Sequence, residues 1–171
     1  MTAVVLAGCG GGHKTTRSNG SVASLGTPVA GRQCPVSRPG GNLPAGVAGG
    51  GEGEIGNSGL ATYIGQGATV FVGGGIATGS ALGFAQPDGS IFAKFLWVRD
   101  FRASGVLRVT GRDLFNPGER LVALLRQPTG PAGEFVPSHL VFRTSGCWQV
   151  NARSGPARLA FVVRVLGRDG T

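Results

Sequence analysis

The sequence predicts an all-β domain built of two packed antiparallel sheets, and three observations carry that expectation. Apolar segments are short and rich in Val, Leu, Ile and Phe. Gly, Pro, Asn or Asp separates them, and no stretch holds a 3.6-residue apolar period long enough for a helix. The clearest segments alternate with a period of two. A sheet with one apolar face must cover it, so an immunoglobulin-like β-sandwich is the economical solution, with a closed barrel as the alternative.

Strands are expected over 60–64, 69–72, 91–98, 105–110, 120–125, 139–142, 147–151 and 158–165. Turn chemistry falls between them, as in Gln86-Pro87-Asp88-Gly89 and Phe115-Asn116-Pro117-Gly118. In the last strand Leu159, Phe161, Val163 and Val165 share the core face, with Arg158, Ala160, Val162 and Arg164 on the other. Ile91, Ala93, Phe95 and Trp97 alternate with Phe92, Lys94, Leu96 and Val98, a second set that is also mostly apolar. That pattern predicts a central strand covered on both faces for much of its length.

The N-terminal part reads differently. Val4-Val5-Leu6-Ala7-Gly8-Cys9 resembles the bacterial lipobox, in which a signal peptidase cuts ahead of a cysteine that then carries lipid. Small residues at Ala7 and Gly8 suit an extended segment entering a protease. Cys9 is the expected lipidation site, and each buried methylene of its acyl chains adds about 0.8 kcal/mol of membrane affinity. Residues 10–32 are mostly Gly, Ser, Thr and Ala with no sustained period, which predicts a flexible tether. The expected organisation is a shortened lipoprotein signal over 1–9, a tether over 10–32, the sandwich over 33–166 and a tail over 167–171. One core is what 171 residues support.

Net charge is +8 with a pI near 11.0, and arginine supplies nearly all of it. Along the chain Arg99, Arg102, Arg108, Arg112, Arg120, Arg126, Arg143, Arg153, Arg158, Arg164 and Arg168 stand singly, without a basic run or helix. Aromatic residues make up 7%, too few to fill a core and also stack on bases. Specific nucleic-acid binding is therefore not expected. A general affinity for anionic polymers is the expectation that follows from charge alone.

With Cys9 assigned to lipid, Cys34 and Cys147 remain as an even pair in a chain read as exported, which predicts a disulfide. Such a bridge closes a loop of more than a hundred residues, worth roughly 4–5 kcal/mol in the chain-entropy model. A metal site is not expected, because neither cysteine belongs to a CxxC pair and the histidines are His13 and His139 alone.

Several segments together resemble a family of bacterial secreted proteins and lipoproteins that open on a Cys-Pro segment and close on a Gly-Cys-Trp strand pair. The matching residues are Cys34-Pro35-Val36-Ser37-Arg38-Pro39, Gly56-Asn57-Ser58-Gly59-Leu60-Ala61-Thr62, Asp88-Gly89-Ser90-Ile91 with Lys94-Phe95, and 107–114. Most specific are 137–142, then Gly146-Cys147-Trp148-Gln149-Val150 and Ala160-Phe161-Val162-Val163-Arg164-Val165. The resemblance spans about residues 33–166 and implies a compartment and a scaffold but no activity. Departures are Ala61 and Val98, where the family carries tryptophan, and Gln149, where it carries glutamate.

Catalytic patterns fail on their own terms. Gly8-Cys9-Gly10-Gly11-Gly12-His13-Lys14-Thr15 nearly spells a phosphate-binding loop, but His13 occupies the position of its last glycine and no good helix follows. Gly51-Glu52-Gly53-Glu54-Ile55-Gly56 has dinucleotide-fingerprint spacing without a preceding strand, and reads as a glycine-rich loop. Gly56-Asn57-Ser58-Gly59 lacks a base for its serine. Ser138 and His139 are adjacent in an expected strand, so they point to opposite faces. The chain is read as a monomeric, non-catalytic, lipid-anchored envelope protein without cofactor or metal, binding an envelope protein or, alternatively, an anionic polymer, with an enzyme of unrecognised type as the second alternative.

Overall fold

A computed structural model describes residues 33–44, 53–75, 78–100, 105–126 and 135–167. The expected lipidation site Cys9, His13, the signal and the tether lie outside these residues, as does Glu52.

The described chain is all-β, with no α-helix. Its ten strands are β1 (Glu54–Asn57), β2 (Leu60–Tyr63), β3 (Thr69–Val72), β4 (Ala81–Ala85), β5 (Ile91–Arg99), β6 (Arg108–Asp113), β7 (Val122–Leu125), β8 (Phe135–Phe142), β9 (Gly146–Ser154) and β10 (Ala157–Leu166). Hydrogen bonding runs in the order β1-β2-β5-β4-β3-β10-β9-β6, with β8 on the other edge of β5 and β7 beyond it. β5 is the hub: β8 pairs with it from Ile91 to Val98, while β4 and β2 share its opposite edge in succession.

The pairing is not purely antiparallel, which corrects the expectation from sequence. β3 runs parallel to both β4 and β10. For the β3–β4 pair the direction is set in the glycine-rich link between the two strands. Gly73, at φ 80°, turns the chain sharply and donates its N–H to Gly83 O, and Gly74 N–H closes a turn on Phe71 O. The chain doubles back and re-enters the sheet in its first direction.

Alternation places the core as the sequence predicts. Ile91, Ala93, Phe95 and Trp97 of β5 and Leu159, Phe161, Val163 and Val165 of β10 are buried. Although β4 and β3 lie between them in the hydrogen-bonded order, core side chains of β5 and β10 meet. Phe161 packs at centroid distances of 6.3 Å from Phe95 and 6.1 Å from Trp97. Trp97 Nε1 donates to Ser138 Oγ (2.8 Å), so the indole enters the core without an unpaired donor. Phe142 meets Trp148 edge-on at 5.3 Å.

A strap before β1 ties the start of the described region to β9 and β10. Cys34 is bonded to Cys147 of β9 across 113 residues, which bears out the expected disulfide. Three residues on, Ser37 N donates to Val162 O while Ser37 Oγ accepts from Val162 N, both at 2.9 Å. One residue thus does the work of a short edge strand on β10. Gly40 N then bonds Glu54 O (2.7 Å) and bridges β1.

Two strands were not legible as such. β1 falls where a glycine-rich loop is expected, and β4, Ala-Leu-Gly-Phe-Ala, has no polar alternation to betray it.

Candidate functional site

The outer faces of the sheet carry two features that lie outside the buried core. The first lies on β6, β9 and β10. Register sets Arg108 of β6 opposite Arg153 of β9, and Arg153 opposite Arg158 of β10. Arg153 and Arg158, on the two arms of one hairpin, and the distant Arg108 therefore stand in one row across three strands, and all are exposed. The next row is Thr110, Asn151 and Ala160, short side chains that leave a floor between the arginines and the row of Arg112 and Gln149. Arg112 Nε donates to Gln149 Oε1 (3.3 Å). The result is an open depression of about 660 Å³ lined by Arg108, Thr110, Asn151, Arg153, Arg158 and Ala160, with no carboxylate in its lining. Sequence reading missed this cluster because it treats residues as neighbours along the chain, whereas cross-strand register makes neighbours of residues 45 positions apart. The alternation of Arg108-Thr110-Arg112 was the available signal.

The second feature lies on β4, β5, β8 and β7. The expectation that β5 is covered on both faces is not met: Leu96 is 44% exposed and Lys94 is exposed. Register makes one row of Phe84, Phe92, Val141 and Val122, and the next of Lys94, His139 and Leu124. Phe84, Leu96, Val122, Leu124 and Phe135 are all 44% exposed or more. Phe92 stacks on His139 at 4.2 Å between ring centroids, with the two ring planes 21° apart. Beside it Lys94, Leu124, Arg126, Pro137 and His139 line a shallow groove, again without a carboxylate.

Other sequence candidates resolve into scaffold. Asn57 Oδ1 accepts the N–H groups of Gly59 and Leu60, and its Nδ2 donates to Arg158 O (2.7 Å), so Gly56-Asn57-Ser58-Gly59 is a hairpin turn docked on β10. Ser138 is buried and donates to Phe95 O (3.3 Å), on the opposite face from His139. Ala61 and Val98 are direct cross-strand partners on β2 and β5. Among the described residues no group of three or more His, Cys, Asp or Glu side chains could hold a metal ion. Arg99 is buried at the end of β5, where its Nη1 donates to Gly105 O (2.8 Å) and ties the strand end to the chain entering β6.

Comparison with family models, curated proteins and solved structures finds no match.

Proposed function

We propose that this chain is a non-catalytic binding module of an exported, lipid-anchored envelope protein, with Cys9 as the lipidated residue and an immunoglobulin-like sandwich as the scaffold. The observation that carries the binding role is the apolar outer face of β4, β5, β8 and β7. Contiguous apolar area of this kind on a sheet marks an interaction surface, since exposure to water is costly and folding does not require it. Lys94 and Arg126 beside the groove, with no carboxylate in its lining, fit a protein partner that brings apolar side chains and an acidic group. The Cys34–Cys147 bridge supports an oxidising compartment, and the family resemblance supports the same reading.

The test has two arms. Expression from the natural start, with and without globomycin, should give a product that partitions into detergent and shifts in mass when lipidation is blocked; an unmodified cytoplasmic product removes the anchor. Site-specific photocrosslinking from positions 96 and 124 in intact cells should capture one defined envelope protein. Capture should be lost in Lys94→Glu, and crosslinks that ignore this charge reversal argue against a docking face.

A further inference from the structure

We propose that the arginine row Arg108, Arg153 and Arg158, with Thr110 and Asn151 beside it, binds the phosphate groups of a base-free phosphodiester polymer. This rests on a surface separate from the apolar face and stands or falls independently of it.

Directly opposed like charges destabilise a β pair. Here Arg153 faces an arginine on each side, and the depression they border has no carboxylate in its lining to offset them. A row that works against the sheet calls for an anionic counterpart. Strands lie about 4.8 Å apart, so the three stems span about 10 Å in a line across the sheet, a track rather than a point. Guanidinium forks hold oxyanions through paired N–H donors. A tetrahedral phosphate offers oxygens out of one plane, so a fork and a neutral donor from Thr110 or Asn151 can engage the same group. A carboxylate keeps its acceptor directions close to one plane, so a donor standing above a forked guanidinium meets it less well.

Three alternatives fit less well. Bases need rings to stack on, and β6, β9 and β10 present no aromatic side chain outward: their outward positions are Arg108, Thr110 and Arg112, then Gln149, Asn151 and Arg153, then Arg158, Ala160, Val162 and Arg164. A membrane surface would be expected to receive several large apolar side chains, whereas of the strongly exposed ones Val106 alone lies within two residues of the row, and Val162 and Leu166 of β10 are only partly exposed. A protein interface would be expected to centre on an apolar or aromatic anchor, and the floor here is Thr110, Asn151 and Ala160.

The experiment is fluorescence anisotropy of the full chain with a labelled glycerol-phosphate oligomer across a sodium chloride series. Three neutralised phosphates on a single-stranded polymer predict an affinity that falls roughly 20-fold between 0.05 and 0.2 M salt. The double variant Arg108→Gln with Arg158→Gln should weaken binding about tenfold or more, while Arg38→Gln with Arg143→Gln, which removes the same charge from other exposed sites, should change it less than about twofold. Replacing all three row residues by lysine retains the charge and loses the forks, so affinity should fall several-fold with the salt slope kept. Equal losses in the two double variants would reduce the effect to net charge and overturn the site. Absent binding overturns it as well, as does equal or tighter binding to oligoglutamate, to single-stranded DNA or to phosphatidylglycerol vesicles.

Discussion

Arg153 is the residue at which binding and stability pull apart. It stands between Arg108 and Arg158, and each such opposition costs about 0.2–1 kcal/mol relative to a neutral pair. Arg153→Thr, a good strand former, should therefore raise urea-unfolding stability by up to about 1 kcal/mol while weakening polyanion binding. A variant that loses both would mean that the arginine stem packs usefully on its neighbours. Ser37 behaves in the opposite way, since its N–H and hydroxyl serve both backbone groups of Val162. Ser37→Ala leaves Val162 N without its acceptor and should cost about 1–2 kcal/mol in the same assay. Asp88 gives the turn between β4 and β5 a pH dependence. Its carboxylate accepts from Ser90 Oγ (2.7 Å) and Ser90 N (3.0 Å), bonds that hold its pKa below the ordinary 3.8. A folded-state value below the unfolded one contributes stability that is fully present above about 3.8 and is lost as pH falls through the depressed value. The stability gap between the wild type and Asp88→Asn should accordingly be constant near neutrality and close below that pH. A gap that persists into acid would show that charge is not its source.

Strands, unlike single residues, declare themselves in sequence only when one face is wet. β10 and β9 alternate buried and outward positions over most of their length, and alternation located them. β5 was found for its apolar content, but the fate of its outer face was misjudged, because an apolar residue in a strand signals burial whether a core or a partner supplies it. β1 and β4 escaped because Gly56 and Gly83 dilute short strands that show no polar alternation, although their partners β2, β3 and β5 are near in sequence. The arginine row was only half legible: the Arg153–Arg158 pair follows from a hairpin, while the register of Arg108 against Arg153 is a tertiary property. Glycine within β6 has a steric cause that only packing reveals. A Cβ on Gly111 would lie 2.6 Å from Gln149 O and overlap the Leu121 side chain, which closes that end of the core. Gly111→Ala should cost about 1–3 kcal/mol by pushing β6 from β9, and it should lower hydrogen-exchange protection in β6 before that in β10. Uniform loss across both strands would place the strain elsewhere.

At the scale of the whole chain, the strap and β9 are joined by one covalent link across nearly the entire folded region. Cys34 precedes every strand, and Cys147 sits in the ninth of ten, so the loop between them contains almost all of the sheet. Many of the contacts are long-range, because β2 and β4 reach β5 from one edge while β8 arrives from the other much later in the chain. Ordering such a topology carries a large loop-closure cost, and a bridge lowers it by restricting the unfolded ensemble. For a separation of 113 residues the chain-entropy relation gives about 5 kcal/mol. Domains are commonly stable by about 5–15 kcal/mol, so this one bond accounts for a large share of any plausible total. Cys34→Ser with Cys147→Ser should therefore lower unfolding free energy by several kcal/mol, and reduction of the wild type should do the same. The strap ought to detach first, seen as early exchange at Ser37 and Gly40 while the β5–β8 pair stays protected. If the double variant instead unfolds within about 1 kcal/mol of the oxidised chain, the bridge does little to restrict the denatured state, and the dependence of this fold on an oxidising compartment falls with it.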